Sequence, residues 1–425
     1  MEVVEKRKED YIAPEIVVGR DWEDYKLFGT KGTIYIGKHL VGTGEDAHLT
    51  TPVLLDVLRP HIITLTGKRG TGKSYSMGIF AEEIMNLPRD VRENLCAVII
   101  DTQGIFWTMK QPVEYSPYMK EWGIEPKGFD VKVFIPEGQK DIFKEAGVVF
   151  DGTFSISPEQ LTYADWLFVF GIEMTDMLGI LLQRVLGRKR FKSIDEIINE
   201  IKSIEGFERE KLALENFFEA TKNWGIFGEE KMPNLLLPGQ VSIIDVSLTP
   251  QQIRALLVAL ISRMIIYERT IARRQEEYEK ISGEETKKVP MCWLMIDEAH
   301  NFIPNVGTTA ATEPLMKIVK EGRQPGISLV LATQQPYKLH PDALSQCDLI
   351  ISHRLTSKDD IDALKSIMQT YILFDITKYM EELPKVKGVA IILDDNSERL
   401  YKIRIRPRMS WHAGASPVAL KSRVV

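Results

Sequence analysis

Eight residues carry the clearest chemistry in the chain: Gly67-Lys68-Arg69-Gly70-Thr71-Gly72-Lys73-Ser74. Their spacing fits G-x-x-x-x-G-K-[ST], a loop that cradles phosphates. Glycines let the backbone curl so that several N–H groups point at phosphate oxygens. A helix opening directly after the loop adds partial positive charge. In such a loop Lys73 reaches the β- and γ-phosphates, and Ser74 offers its hydroxyl to Mg²⁺. The run Lys68, Arg69, Gly70, Thr71, Gly72, Lys73, Ser74 and Tyr75 is therefore the expected phosphate cradle. ATP with Mg²⁺ is the expected ligand.

A second group lies far along the chain. Cys292-Trp293-Leu294-Met295-Ile296-Asp297-Glu298 is an apolar strand ending in two acids. Alone, the acids could simply open a solvated turn. Beside a phosphate loop they have work to do: Asp297 can hold a water on Mg²⁺, and Glu298 can orient or deprotonate an attacking water. A third strand pattern, Ile327–Leu331, ends in Ala332-Thr333-Gln334-Gln335-Pro336. Gln334 could sense the γ-phosphate there, the alternative being a plain turn before Pro336. Arg323, just before that strand, suits transition-state phosphate charge; the alternative is a surface salt bridge. Arg354, after a further strand, is a lesser candidate of the same kind. The expected catalytic set is Glu298, Lys73, Arg323 and Gln334, with Ser74 and Asp297 at the metal.

These residues need a scaffold that brings several strand ends together. Short apolar runs alternate with helical patterns: His61–Thr66, Ala97–Asp101, Val131–Ile135, Val241–Asp245, Met291–Ile296, Ile327–Leu331, Asp348–Ser352 and Gly388–Leu393. Runs that are almost wholly apolar suit strands buried on both faces. The alternation predicts an α/β fold with a mainly parallel sheet. Helix starts are expected at Thr249-Pro250-Gln251-Gln252, at Ser157-Pro158-Glu159-Gln160, at Ser193 with Glu196 and at Ser357 with Asp360. The helix from Thr249 runs on into the charged stretch Arg273–Lys280, and Ser282–Lys288 reads as an exposed loop. Strand patterns vanish between about 155 and 237, which predicts a helical insertion. The expected division is a short N-terminal β appendage over 1–58, an ATPase core over 59–154 and 238–425, and a helical insertion over 155–237.

Composition narrows the class. The chain has 425 residues, 44% hydrophobic and 27% charged, a globular profile that argues against disorder. No charge-free apolar stretch approaches the ~18 residues of a membrane span. Met1 to Asp10 is mostly charged and unlike a signal peptide. The expectation is a cytoplasmic protein. Cys96, Cys292 and Cys347 are far apart and form no C-x-x-C pair, so zinc or disulfides are not expected; Cys96 and Cys292, beside strand-like runs, are expected to be small core hydrophobes. A net charge of −6 disfavours a coat of nucleic acid but permits a locally basic channel.

The stretches Ile296-Asp297-Glu298-Ala299-His300-Asn301-Phe302, Glu321-Gly322-Arg323-Gln324-Pro325-Gly326 and Leu331-Ala332-Thr333-Gln334-Gln335-Pro336 together resemble the HerA family of hexameric DNA translocases. That family lies in the wider HerA/FtsK group of P-loop motors. Ser352-His353-Arg354-Leu355 and Arg406-Pro407-Arg408-Met409-Ser410-Trp411-His412 are also similar to HerA-type sequences. The resemblance runs from about residue 60 onward. It implies a RecA-like P-loop NTPase core, assembled as a homo-hexamer around double-stranded DNA with ATP between subunits. It also implies that Gln334 acts as the sensor and that Arg323 is supplied to the neighbouring subunit's ATP. A NurA-like nuclease in DNA end processing and repair, or another effector in defence, would be the partner; a membrane would not. Two departures stand out. The family's N-terminal β-barrel is larger than the first 58 residues allow, and Ile105 in Asp101-Thr102-Gln103-Gly104-Ile105 replaces a usual acid. Asp101 itself is a lesser candidate at the nucleotide.

Candidate DNA contacts are Lys317 and Lys320, or these simply face solvent. After Glu398 come Arg399, Lys402, Arg404, Arg406, Arg408, Lys421 and Arg423 without an acid. Lys402–Arg406 reads as a half-buried strand that could clasp a neighbour, touch nucleotide or face solvent. The first functional expectation is an ATP-driven double-stranded DNA translocase. The alternative is an ATP-gated oligomeric scaffold that presents an effector. Asp297-Glu298-Ala299-His300 spells the DEAH helicase motif, but the other motifs of those helicases are missing. A conjugation or secretion ATPase is a further relative, though such coupling proteins often carry membrane helices.

Overall fold

Apolar runs too short for helices and rich in Ile, Val and Leu pair with one another and bury both faces. The computed structural model describes residues 15–42, 46–286, 288–367 and 376–414. Met1 to Asp10, Lys421 and Arg423 lie outside the described residues. The strands are β1 (Ile16–Val18), β2 (Thr33–Val41), β3 (His48–Asp56), β4 (Ile62–Thr66), β5 (Leu95–Asp101), β6 (Lys132–Pro136), β7 (Gly152–Phe154), β8 (Val241–Asp245), β9 (Met291–Ile296), β10 (Ile327–Thr333), β11 (Leu349–His353), β12 (Val389–Asp394) and β13 (Arg399–Ile405). They form one sheet in the order β1-β3-β2-β13-β12-β11-β4-β10-β9-β5-β8-β6-β7.

From β11 to β7 every neighbouring pair is parallel. The other side, from β11 through β12, β13 and β2 to β3, is antiparallel. Within the β appendage expected over 1–58, Gly32-Thr33-Ile34-Tyr35-Ile36-Gly37 reads as a strand and turn. The observed β2 is longer and pairs with β13, Gly37 opposite Ile405. The first strands are thus hydrogen-bonded into the same sheet as the phosphate loop. Strands β1, β3 and β7 were not expected from sequence. β3 contains Pro52, and β1 and β7 have three residues each, too few to show a period.

The helices that position the site are α1 (Lys73–Asn86), then α2 (Tyr163–Phe170), α3 (Met177–Leu186), α4 (Ile194–Ser203) and α5 (Glu208–Lys222) in the insertion, then α6 (Gln251–Ser282) and α7 (Thr312–Glu321). One face of the sheet packs Met77, Phe80 and Ile84 of α1. The other packs Leu256, Leu257 and Ile261 of α6. The insertion has its own core around Trp166, Leu181, Ile197, Ile201 and Phe218. Arg263 ties it to α6 through Asp165 at 2.8 Å. Cys96, Cys292 and Cys347 are free and buried.

Two helix starts differ from expectation. Pro250 is extended (φ −59°, ψ 151°), so α6 begins at Gln251 with no side-chain cap. Thr249 instead accepts from Gln139 at 3.3 Å. The Ser157/Gln160 capping box exists, but it opens only a single 3-10 turn. Thr162 with Asp165 forms a second box, and that one starts α2. Ser193 caps α4 as expected, accepting from Glu196 N.

Candidate functional site

The parallel register sets the site. Thr333 at the end of β10 lies beside Thr66 at the end of β4, and Ile296 at the end of β9 lies beside Leu331. Three chain segments therefore leave the same sheet edge together: the loop after β4, Asp297-Glu298 after β9, and Gln334 after β10. This is the edge where α/β sheets bind ligands.

The loop wraps over a buried histidine. Gly72 has φ 127°, and a Cβ there would stand 3.1 Å from the His353 ring. His353 Nε2 lies 3.1 Å from Ser76 Oγ, and its Nδ1 lies 3.2 Å from the Val389 carbonyl. Burial pushes its pKa down to about 4, so a neutral ring supports the loop. Lys73 is buried and donates to the Gly67 and Lys68 carbonyls at 2.8 and 3.2 Å. Burial lowers its pKa, against the pull of Glu298 and Asp297. Lys68, Arg69 and Gly70 are exposed, with Thr71 half-buried.

Ser74 Oγ donates to Asp297 Oδ2 at 2.9 Å. Burial first, then the neighbouring Glu298, raises the Asp297 pKa to about 6. A hydroxyl and a buried carboxylate side by side are a donor set suited to Mg²⁺, whose charge would favour the ionised carboxylate. Glu298 sits in the left-handed region at φ 51°, an uncommon place for a non-glycine residue that is enriched at functional sites. Gln334 Nε2 donates to Glu298 Oε1. Glu298 Oε2 is buried with no hydrogen-bond partner among the described residues. His300 Nδ1 stands 3.6 Å from it and 3.0 Å from Thr333 Oγ1. Burial lowers the His300 pKa, which disfavours the charged ring beside Glu298.

Arg323 is exposed and precedes the start of β10. The loop lies past the far end of that strand, roughly 20 Å away at ~3.3 Å per residue. Arg323 therefore does not reach its own chain's loop. Arg354 is half-buried, and its carbonyl accepts from Lys68 N at 3.4 Å. Asp101 departs from its candidate role: its carboxylate accepts from the amides of Gln103, Gly104, Ile105 and Phe106 at 2.8–3.1 Å. It builds the turn after β5. Burial and Asp245 across the ladder raise its pKa to about 8.

The C-terminal segment corrects the solvent-facing alternative. Arg406 and Arg408 are buried against α1. Glu82 receives Arg406 Nη2 at 2.9 Å, Arg408 Nε at 3.1 Å, Ser410 Oγ at 2.6 Å and two backbone amides. Burial would raise the Glu82 pKa, but the two guanidinium groups bring it below the usual value. Gly78 is required here, because a Cβ would lie 2.4 Å from Arg408 Nη1. Tyr75 Oη accepts from Arg408 N at 2.7 Å, and its ring meets His412 edge-on at 5.3 Å. Of the other basic residues, Lys402 donates to the Gly42 carbonyl and Arg404 stacks on Tyr118. Lys317 is exposed, and Lys320 pairs loosely with Asp342 at 3.6 Å. His353 and Glu82 escaped the sequence reading as functional residues; an acid inside the apolar pattern of α1 was the available signal for Glu82. Among the described residues no helix is long and apolar enough to cross a membrane.

The sequence profile of the family described as "Helicase HerA, central domain" matches residues 34–265. The DNA double-strand break repair helicase HerA of Pyrococcus furiosus is 30% identical over 33% of this chain and 29% of its own length. Its namesake in Sulfurisphaera tokodaii is 21% identical over 76% of this chain and 60% of its own length. The chain thus matches less than two thirds of these relatives. Among solved structures, VirB4 of Thermoanaerobacter pseudethanolicus superimposes with a TM-score of 0.55 at 12% identity, covering 89% of this chain and 96% of that one. The bacterial conjugative coupling protein TrwB does so with a TM-score of 0.52 at 14% identity, covering 92% and 99%. These likenesses establish a P-loop ATPase fold of mixed α/β type.

Proposed function

The chain belongs to the family of the HerA helicase central domain, and on that premise we propose that it is an ATP-hydrolysing ring motor that moves along double-stranded DNA. The observation that carries the proposal is the Ser74–Asp297 contact of 2.9 Å at the mouth of the phosphate loop. It joins the loop to the acidic strand end, with Glu298 as the next residue. Kinship with the HerA family also supports an ATPase.

The loop amides receive the phosphates of ATP, and Lys73 turns from the Gly67 and Lys68 carbonyls towards them. Ser74 and Asp297 would hold Mg²⁺, which would supply positive charge against the negative charge developing on the phosphates. Glu298 takes the proton of the attacking water, or orients that water. Gln334 holds Glu298 in check until the γ-phosphate gives the amide another partner. Arg323, unable to reach its own loop, serves the ATP of a neighbouring subunit in a six-membered ring. The finer part of the proposal is a role in DNA double-strand break repair, in keeping with the names of the relatives; end processing with a nuclease partner is what the HerA resemblance implies.

ATP hydrolysis with and without linear duplex DNA, across a salt series, tests the reading. The expected result is stimulation by duplex that weakens with salt. Glu298→Gln is expected to bind ATP and lose at least ~10²-fold in turnover. Tight ATP binding with slow turnover indifferent to DNA would replace the motor with an ATP-gated scaffold.

A further inference from the structure

The helical insertion carries a basic run that neither the ATP site nor the insertion's own core uses. Arg184, Arg188, Lys189, Arg190 and Lys192 fall within nine residues that contain no acid, in a chain of net charge −6. All five are exposed on the end of α3 and the loop to α4. Glu200 alone answers two of them, Arg188 at 2.8 Å and Lys189 at 3.4 Å. Arg184 lies over the Phe207 ring at 5.2 Å. The side chains of Arg190 and Lys192 have no acidic partner among the described residues, although the Lys192 amide donates to Glu196 Oε2 at 2.8 Å.

The run borders a groove of about 410 Å³ lined by Gln160, Tyr163, Gln183, Lys189 and Arg190, with Glu159 the acid on its wall. Its place in the fold is fixed. Ser157 Oγ donates to the Lys192 carbonyl at 3.4 Å, and Ser157 comes just after β7 at the end of the sheet. β7 stands six strands from β4, roughly 30 Å at ~4.8 Å per strand. The run therefore faces the same sheet edge as the phosphate loop but is too distant to touch phosphates bound there.

We propose that Arg184, Arg188, Lys189, Arg190 and Lys192 form a docking site for the phosphate backbone of duplex DNA, separate from the ATP site. The proposal rests on the DNA reading above and assigns it a surface. Guanidinium groups suit phosphate oxygens geometrically. A duplex presents one negative charge per ~1.7 Å of its axis, so a short cationic loop can neutralise several at once without reading sequence.

The test is fluorescence anisotropy of a labelled duplex across a salt series, with the full chain and the double variant Arg190→Glu/Lys192→Glu. ATP turnover without DNA reports that the variant is folded. The expected result is affinity lower by on the order of tenfold or more, unchanged DNA-free turnover, and a log–log salt slope smaller by about two, at ~0.9 per lost phosphate contact. Arg190→Gln/Lys192→Gln should fall between the two. Wild-type binding that the variants share in strength and slope would overturn the site while leaving the motor reading intact. A wild-type chain that binds no duplex, but does bind an acidic peptide through this loop, would overturn both.

Discussion

At the candidate site the burial of Asp297 is the feature that makes it sensitive to pH. Asp297 accepts from the Ser74 hydroxyl and the backbone amide of Glu298; burial and the neighbouring Glu298 outweigh these bonds and the nearby Lys73, and its pKa rises to about 6. A metal needs the carboxylate, so protons compete with it below that value. Mg²⁺-dependent binding of a fluorescent ATP analogue should weaken about tenfold between pH 7.5 and pH 5, with little change from pH 7.5 to 8.5. A flat profile across this range would remove Asp297 from the metal site. The sign for stability is opposite: a carboxyl raised in the folded state favours folding at low pH, and that contribution falls as pH rises from about 4 to 6. Nucleotide with metal should therefore stabilise the protein more at pH 7.5 than at pH 5.

At the scale of elements, α1 is held by a carboxylate that water cannot reach. Glu82 has no exposure, and Arg406 and Arg408 have almost none. Breaking such a group by removing one partner leaves an unpaired buried charge, at a cost of ~3–5 kcal/mol. Glu82→Ala should lower the thermal midpoint and weaken ATP binding together, because α1 carries Lys73 and Ser74 at its first turn. Calorimetry alongside nucleotide titration checks this; an unchanged midpoint would contradict the packing. Most of the residues that gather at this sheet edge were legible in sequence because each has local grammar. The loop has fixed spacing, Asp297 follows the wholly apolar run Met291–Ile296, and Gln334 follows Ile327–Thr333, apolar but for Ser328 and Thr333. Glu82, His353 and Arg408 have no such grammar. Their partners lie hundreds of residues away, 326 in the case of Glu82 and Arg408. The sheet membership of β1 and β3 was hidden for the same reason, since pairing partners are a tertiary fact.

For the whole molecule, the decisive feature is that the N-terminal strands and the ATPase strands share one sheet. A buried cluster pins the join. His61 sits between Asp348 and Asp56, and Arg20 also pairs with Asp56. Burial would lower the His61 pKa, but the two carboxylates raise it to about 9. A raised histidine contributes stability that is complete below its unfolded value near 6.5 and is lost as pH climbs through 9. The thermal midpoint should fall over this window, by the equivalent of a few kcal/mol, and His61→Gln should flatten the profile. A wild-type profile that stays flat would mean the imidazole is neutral. The strap across α1 has a consequence in time. Arg408 is made 326 residues after Glu82, which at ~5–20 residues per second of synthesis is roughly 16–65 s later. Throughout that interval the nascent chain holds its phosphate loop on a helix whose central acid has no arginine to meet. The helix that opens on Lys73 and Ser74 therefore gains its full set of buried partners only long after the loop itself has been made.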